Sequence, residues 1–240
     1  MRAGEGNKQT KLVSFSGIDG AGKSTQIRRF CAKMEQACLR YSLVVFWDDV
    51  ARFKGIREGA AHAIFKGDRG VGTPSAPVNR QDKNVRSWMM TLVRLCVYLI
   101  DAVSTRLLMR RALGSDVDVV IYDRFVYDEL ANLNLENTAM RAYARMIIKL
   151  VPQPHISFLL DADPAEARAR KPEYPLDFLE FSRNNYLALS KLIDRMTIIA
   201  PLPADEVERE VLIRAEASLS NASSRCESGD RGQYLVESER

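Results

Sequence analysis

One octapeptide constrains this chain more than any other feature: Gly17-Ile18-Asp19-Gly20-Ala21-Gly22-Lys23-Ser24. The spacing Gly-x-x-x-x-Gly-Lys-Ser makes a backbone loop whose N–H groups wrap the phosphates of a nucleoside triphosphate. Such a loop works only between a buried strand and a helix start, because the helix adds its positive dipole end to the anion site. Both flanks fit. Leu12 to Ser16 is a short apolar run, and Ile27, Phe30, Cys31, Met34 and Cys38 recur at helical spacing behind the loop. Chance occurrence of the pattern in a chain of this size is on the order of one in a hundred.

The remaining chain repeats the same alternation. Tyr41 to Trp47, Val117 to Tyr122, Ile156 to Leu160 and Thr197 to Ala200 are near-continuous apolar runs, as expected of strands covered on both faces. Helical patterns lie between them: Val85 to Leu113, Thr138 to Leu150 with Asn137 as cap, a start at Asp163-Pro164-Ala165-Glu166, Leu176 to Met196, and Asp205 to Ala217. The expected fold is an α/β three-layer P-loop NTPase fold, a five-stranded parallel sheet flanked by helices. The expected organisation is a flexible lead over 1–10, one P-loop domain over 11–217 and a disordered tail over 218–240. The Gly- and Pro-rich loop 66–84 has no place in the alternation.

Bulk properties exclude more than they select. Apolar residues make up 46% and charged residues 28% of 240, with a net charge of +4 and no long basic block, so neither nucleic acid nor a membrane is an expected partner. Cys31, Cys38, Cys96 and Cys226 show no paired spacing. They are expected to be reduced thiols of a cytoplasmic protein, the first three as small hydrophobes within helices. His62 and His155 lack a second ligand at metal spacing.

A second motif, Asp123-Arg124-Phe125, ends the run VDVVIY. Ligands of open parallel sheets bind beyond the carboxyl ends of strands, so this pair should face the glycine loop. There an Asp can place Mg²⁺ and an Arg can grip a phosphate; a surface ion pair is the plainer alternative.

FSGIDGAGKST followed about a hundred residues later by DRF resembles the thymidylate kinases and their relatives, which carry a Gly-x-Asp-Gly-x-Gly-Lys-Ser/Thr loop and an Asp-Arg-Tyr type motif. The resemblance spans 11–217, with Leu160 to Pro164 similar to the strand and turn before that family's lid, and Phe178 to Leu189 to the helix after it. It implies transfer of the γ-phosphoryl of ATP, with Mg²⁺, to a nucleoside monophosphate, nominally dTMP, and a homodimer formed through the long helices. Gly17, Asp19, Gly20, Ala21, Gly22, Lys23, Ser24 and Thr25 would hold the nucleotide, with Ser24 and Asp123 at the metal. Lys23, Asp19, Asp123, Arg124 and Arg170 would serve catalysis, Asp19 near the acceptor and Arg124 on its phosphate.

Several positions depart from that pattern. Trp47-Asp48-Asp49-Val50-Ala51-Arg52-Phe53 stands where the family has an Arg-Glu-Pro-Gly-Gly type segment, with Arg57 as a substitute arginine. Ile100-Asp101-Ala102 lacks the arginine of an Ala-Asp-Arg element. The lid is short, keeping Arg168, Arg170 and Lys171 before Pro172-Glu173-Tyr174-Pro175. Trp47, Phe53, Phe65 and Trp88 are stacking or packing residues, and Asp48 and Asp49 are acceptor contacts or a charged turn. The donor side is therefore well specified, while the acceptor is a nucleoside monophosphate, another small molecule, or none, as in a nucleotide-binding regulator.

Overall fold

The structure is a computed structural model that describes residues 10–46, 88–113 and 116–219. The expected lead up to residue 9, the segment Trp47 to Arg57, His62, Phe65, the loop 66–84, Cys226 and nearly all of the expected tail lie outside the described residues. Thr10, the last residue of that lead, is instead buried, and its Oγ1 donates to the Val117 carbonyl at 3.0 Å.

Alternation of apolar strands and amphipathic helices gives β1 (Lys11–Ser16), α1 (Lys23–Gln36), β2 (Tyr41–Val45), α2 (Trp88–Leu113), β3 (Val119–Asp123), α3 (Val126–Leu130), α4 (Thr138–Leu150), β4 (Ile156–Leu160), α5 (Pro164–Arg170), α6 (Leu176–Ser190), β5 (Met196–Ile199) and α7 (Ala204–Leu219). The strands form one all-parallel sheet in the order β2-β3-β1-β4-β5. The expected α/β architecture is the observed one.

Two apolar layers sandwich the sheet, as the period of two along each strand requires. Val13, Phe15, Ile121 and Phe158 face α1 and α7, where Ile27, Phe30, Met34 and Val211 meet them. Phe15 contacts Phe30 edge-on at 5.7 Å and Phe158 at 5.2 Å between ring centres. Leu12, Val120, Tyr122 and Leu159 face the other way, against Phe125, Leu130, Ile147 and Leu189. His155 extends the ladder between β1 and β4. Its N–H donates to the Leu12 carbonyl at 2.8 Å, and the Leu12 N–H donates to its Nδ1 at 3.0 Å.

Local chemistry sets the helix ends. Asn137 Oδ1 accepts from the N–H groups of Ala139 and Met140, and Asp163 Oδ1 from those of Ala165 and Glu166. The bidentate pair of Arg183 with Asp161, at 2.7 Å on both arms, fastens α6 to the end of β4.

Three expectations need correction. Cys38 is not on the buried stripe of α1, because the helix ends at Gln36. The Leu39 N–H closes on the Met34 carbonyl at 2.9 Å while Cys38 takes a left-handed φ of 54° and faces solvent. Cys96 lies on α2 but is also exposed. Leu176 to Met196 is not one helix: α6 stops at Ser190, and Met196 already pairs with Ser157 as the first residue of β5. The apolar spacing continues across the break because Ile193, in the turn, is buried in the same core as Leu189. Finally, β2 is not covered on both faces. Among the described strands it lies at the edge, beside β3, and Leu43 on it is 45% exposed.

Candidate functional site

The strand order places β3 directly beside β1, with Asp123 level with Phe15 and the Arg124 N–H donating to the Phe15 carbonyl at 3.0 Å. The glycine loop and the Asp123-Arg124 pair therefore share the carboxyl edge of the sheet, as the sequence predicts. Gly17, Gly20 and Gly22 have φ of 145°, 85° and 88°, values open to glycine at little cost. Two of them are also pressed against neighbours. A Cβ on Gly17 would sit 2.5 Å from the Leu160 carbonyl oxygen at the end of β4, and one on Gly20 2.2 Å from that of Ala167 in α5. The loop is thus seated on both β4 and α5.

Lys23 opens α1 and folds back into the loop, its Nζ donating to the carbonyls of Gly17 at 2.7 Å and Ile18 at 2.8 Å. The side chain is buried, and that burial, reinforced by the charge of Arg124, brings its pKa down to about 8. Ser24, next along, is exposed.

Arg124 takes a left-handed φ of 67° at the strand end, unusual for a residue with a Cβ. Its guanidinium crosses to the loop and pairs with Asp19. Burial opposes its charge, but Asp19 and Asp128 outweigh burial and raise its pKa. Burial likewise pushes the Asp19 carboxyl up, and Arg124, Lys23 and Lys171 together overcome this and hold it below the usual carboxylate value. At Asp123 burial wins and raises the carboxyl, against the pull of Arg124 and Lys23. Among the described residues no three His, Cys, Asp or Glu side chains gather as a metal cluster.

Two hollows flank the loop. A cleft of about 330 Å³ lies between Ala21, Leu160, Ala162, Ile199, Leu202 and Val207. Arg170 lines this cleft, and both Arg168 and Arg170 are exposed. A smaller hollow of about 40 Å³ lies on the other side, between Asp19, Arg124, Asn132, Phe178, Ser182 and Tyr186. Lys171, rather than Arg170, is the lid cation whose charge is felt at Asp19. It also pairs with Glu173 at 3.2 Å.

Sequence reasoning missed two elements of this site. The short helix α3 follows the Asp-Arg pair, and its Asp128 is buried beside Arg124. Tyr186 of α6 reaches the same carboxylate. The one available signal was the acidic doublet Asp128-Glu129 just after the Asp-Arg motif, in an otherwise apolar stretch.

No protein-family model matches the chain. It is 30% identical over 110 residues to the "Probable thymidylate kinase" of Pyrobaculum calidifontis, spanning 43% of this chain and 56% of that protein's length. It is 25% identical over 202 residues to the "Probable thymidylate kinase" of Methanosphaera stadtmanae, spanning 82% of this chain and 93% of that protein. No helix among the described residues is long and apolar enough to cross a membrane.

Proposed function

We propose that the protein is a Mg²⁺- and ATP-dependent nucleotide kinase that moves the γ-phosphoryl group to a nucleoside monophosphate, nominally dTMP. One observation carries this reading: the glycine loop with Lys23 and the Asp123-Arg124 pair lie on one sheet edge, with Arg124 reaching the Asp19 of the loop. The two relatives named as probable thymidylate kinases support the same reaction class. Phosphoryl transfer asks the protein for positioning and positive charge more than for covalent chemistry, and this residue set supplies both.

The donor phosphates would lie along the loop at the start of α1, where Thr25 and Ser24 follow Lys23. Lys23 would exchange its two carbonyl contacts for phosphate oxygens, whose negative charge would offset the burial that now lowers its pKa. The cleft beside Ala21 and Leu160, lined by apolar side chains together with Asp161, Glu166 and Arg170, suits the donor base. Arg124 would exchange Asp19 for the acceptor phosphate, and the freed Asp19 would face the acceptor sugar. Ser24 and Asp123 fit Mg²⁺, a hard cation content with one or two protein oxygens plus water and phosphate. When bound, the ion would offset charge on the transferring phosphoryl.

A coupled assay of ADP formation with Mg·ATP across the nucleoside monophosphates tests the reading. Turnover with dTMP well above the others supports it. Nucleotide binding with no acceptor-dependent turnover refutes it in favour of a regulator, and turnover with another small molecule moves the acceptor outside this class. Lys23→Ala should weaken Mg·ATP binding about a hundredfold through loss of a buried charge contact; unchanged affinity would sink the loop assignment. Arg124→Ala should raise the acceptor KM while leaving Mg·ATP affinity in place.

Pairing of two copies belongs to the same proposal. The long helix α2 exposes Leu92, Val93, Leu99, Ile100, Val103 and Leu107 at helical spacing, and a second copy against this face would bury them. Sedimentation of the wild type and of Leu99→Glu checks it: a monomer in both excludes this dimer.

A further inference from the structure

The most completely satisfied side chain near the site is one with no role in the proposed reaction. Asp128 is 2% exposed, and a carboxylate so far from water must be paired or neutral. Three hydrogen-bond donors and one ion-pair partner, from β1, the turn after β3 and α6, converge on it. Ser16 at the end of β1 donates through Oγ to Oδ2 at 2.7 Å, and the Phe125 N–H to the same oxygen at 3.0 Å. Tyr186 of α6 donates its hydroxyl to Oδ1 at 2.7 Å, and Arg124 Nη1 lies 3.7 Å from that oxygen. Burial, followed by Asp128 itself, holds the Tyr186 hydroxyl well above its ordinary pKa, so it remains a donor.

This arrangement answers a question that Arg124 poses. A left-handed backbone costs a Cβ-bearing residue about 1–2 kcal/mol, so something must hold Arg124 there. Asp128 meets the backbone on one side, by capping the N–H of Phe125, and the guanidinium on the other. Through Tyr186 it also reaches α6, whose Phe178, Leu179 and Ser182 line the small hollow at Arg124.

We infer that Asp128 is the positioning residue of the acceptor side. It fixes the Arg124 guanidinium opposite Asp19, and it ties that guanidinium through Tyr186 to α6, which walls the small hollow at Arg124. Its kinetic consequence rests on the proposed kinase reading; the geometric claim does not.

The test uses the full chain and two near-isosteric variants, Asp128→Asn and Tyr186→Phe. In the free protein, the Cζ–Nη rotation rate of Arg124 is measured by carbon- and nitrogen-labelled arginine NMR, with the resonance assigned through Arg124→Lys. Slow rotation is expected in the wild type, with a rise of about tenfold in Asp128→Asn, which removes the ion pair at the guanidinium, and about threefold in Tyr186→Phe, which removes one hydrogen bond to the same carboxylate. Free rotation in the wild type, or no change in both variants, overturns the inference. Should Asp128→Asn fail to fold, Tyr186→Phe alone decides, since it removes one hydroxyl. With an acceptor that turns over, Asp128→Asn should raise the acceptor KM about tenfold and keep the Mg·ATP KM within about twofold. Equal movement of both constants marks a general structural role and refutes the positioning role. If no acceptor turns over, the kinase reading fails and the NMR result still decides for or against Asp128.

Discussion

Gly20 and Gly22 form a matched pair that isolates how firmly the loop is seated on α5. Their backbones are nearly alike, with φ of 85° and 88°, so alanine at either position costs about the same left-handed strain, roughly 1–2 kcal/mol. Their surroundings differ. A Cβ at Gly22 meets nothing within 4 Å, whereas at Gly20 it lies 2.2 Å from the Ala167 oxygen, 2.8 Å from its carbonyl carbon and 3.0 Å from its Cα. Carbon–oxygen contacts settle near about 3.3 Å, so α5 would have to withdraw by roughly 1 Å. Overpacking of that kind adds about 1–3 kcal/mol. Gly20→Ala should therefore be less stable than Gly22→Ala by about 2 kcal/mol, or about 4–8 °C in Tm for a chain of this size. Thermal and urea unfolding of the two variants and the wild type measures this. Equal destabilisation of the two would refute the seating of the loop on α5. Nucleotide affinity should rank in the opposite sense, because the new methyl at position 22 opens onto the proposed phosphate path.

Other expectations concern the sheet and its edge. His155 accepts the Leu12 N–H through Nδ1, and burial, then Lys11 and Arg195, lower its pKa below 6.5. The unfolded chain therefore takes up the proton first. Stability from this group is full above about pH 6.5 and falls as pH drops toward the lower folded value, by at most about 1.4 kcal/mol per pH unit. Urea titrations of wild type and His155→Asn between pH 5 and 7 should differ in slope, and parallel slopes would contradict this. Arg183→Ala removes a bidentate pair whose arginine is 33% exposed, so after screening the loss should be about 1 kcal/mol, read from the unfolding midpoint. A loss as large as that of Gly20→Ala would mean that α6 depends on this pair far more than its exposure allows.

Legibility in the sequence followed the range of the forces involved. The glycine loop was readable because steric rules act within a residue, and each glycine sits where φ is positive. The caps Asn137 and Asp163 were readable for the same reason, their partners lying two and three residues away. β2 looked covered on both faces because an apolar run carries no mark of which side chains a neighbouring layer reaches, and Leu43 is left 45% exposed. The end of α6 was hidden because Ile193 continues its apolar spacing beyond Ser190. Asp128 was invisible in its role because Ser16 and Tyr186, which give it meaning, are 112 and 58 residues away. The charge of Lys171 at Asp19 was not legible, since spacing in a short lid does not tell which cation lies near the loop.

The strand order also bears on how the chain is made. β1 is synthesised first, yet both its neighbours come late, β3 at 119–123 and β4 at 156–160. Val13 and Phe15, among the most deeply buried residues, have no neighbouring strand to join until β3, about a hundred residues later, has emerged. At about 5–20 residues per second, that wait is on the order of ten seconds at the ribosome. During it the segment that will carry the glycine loop is an unpaired apolar strand, so nascent chains stalled before β3 should be the species that holdase chaperones retain.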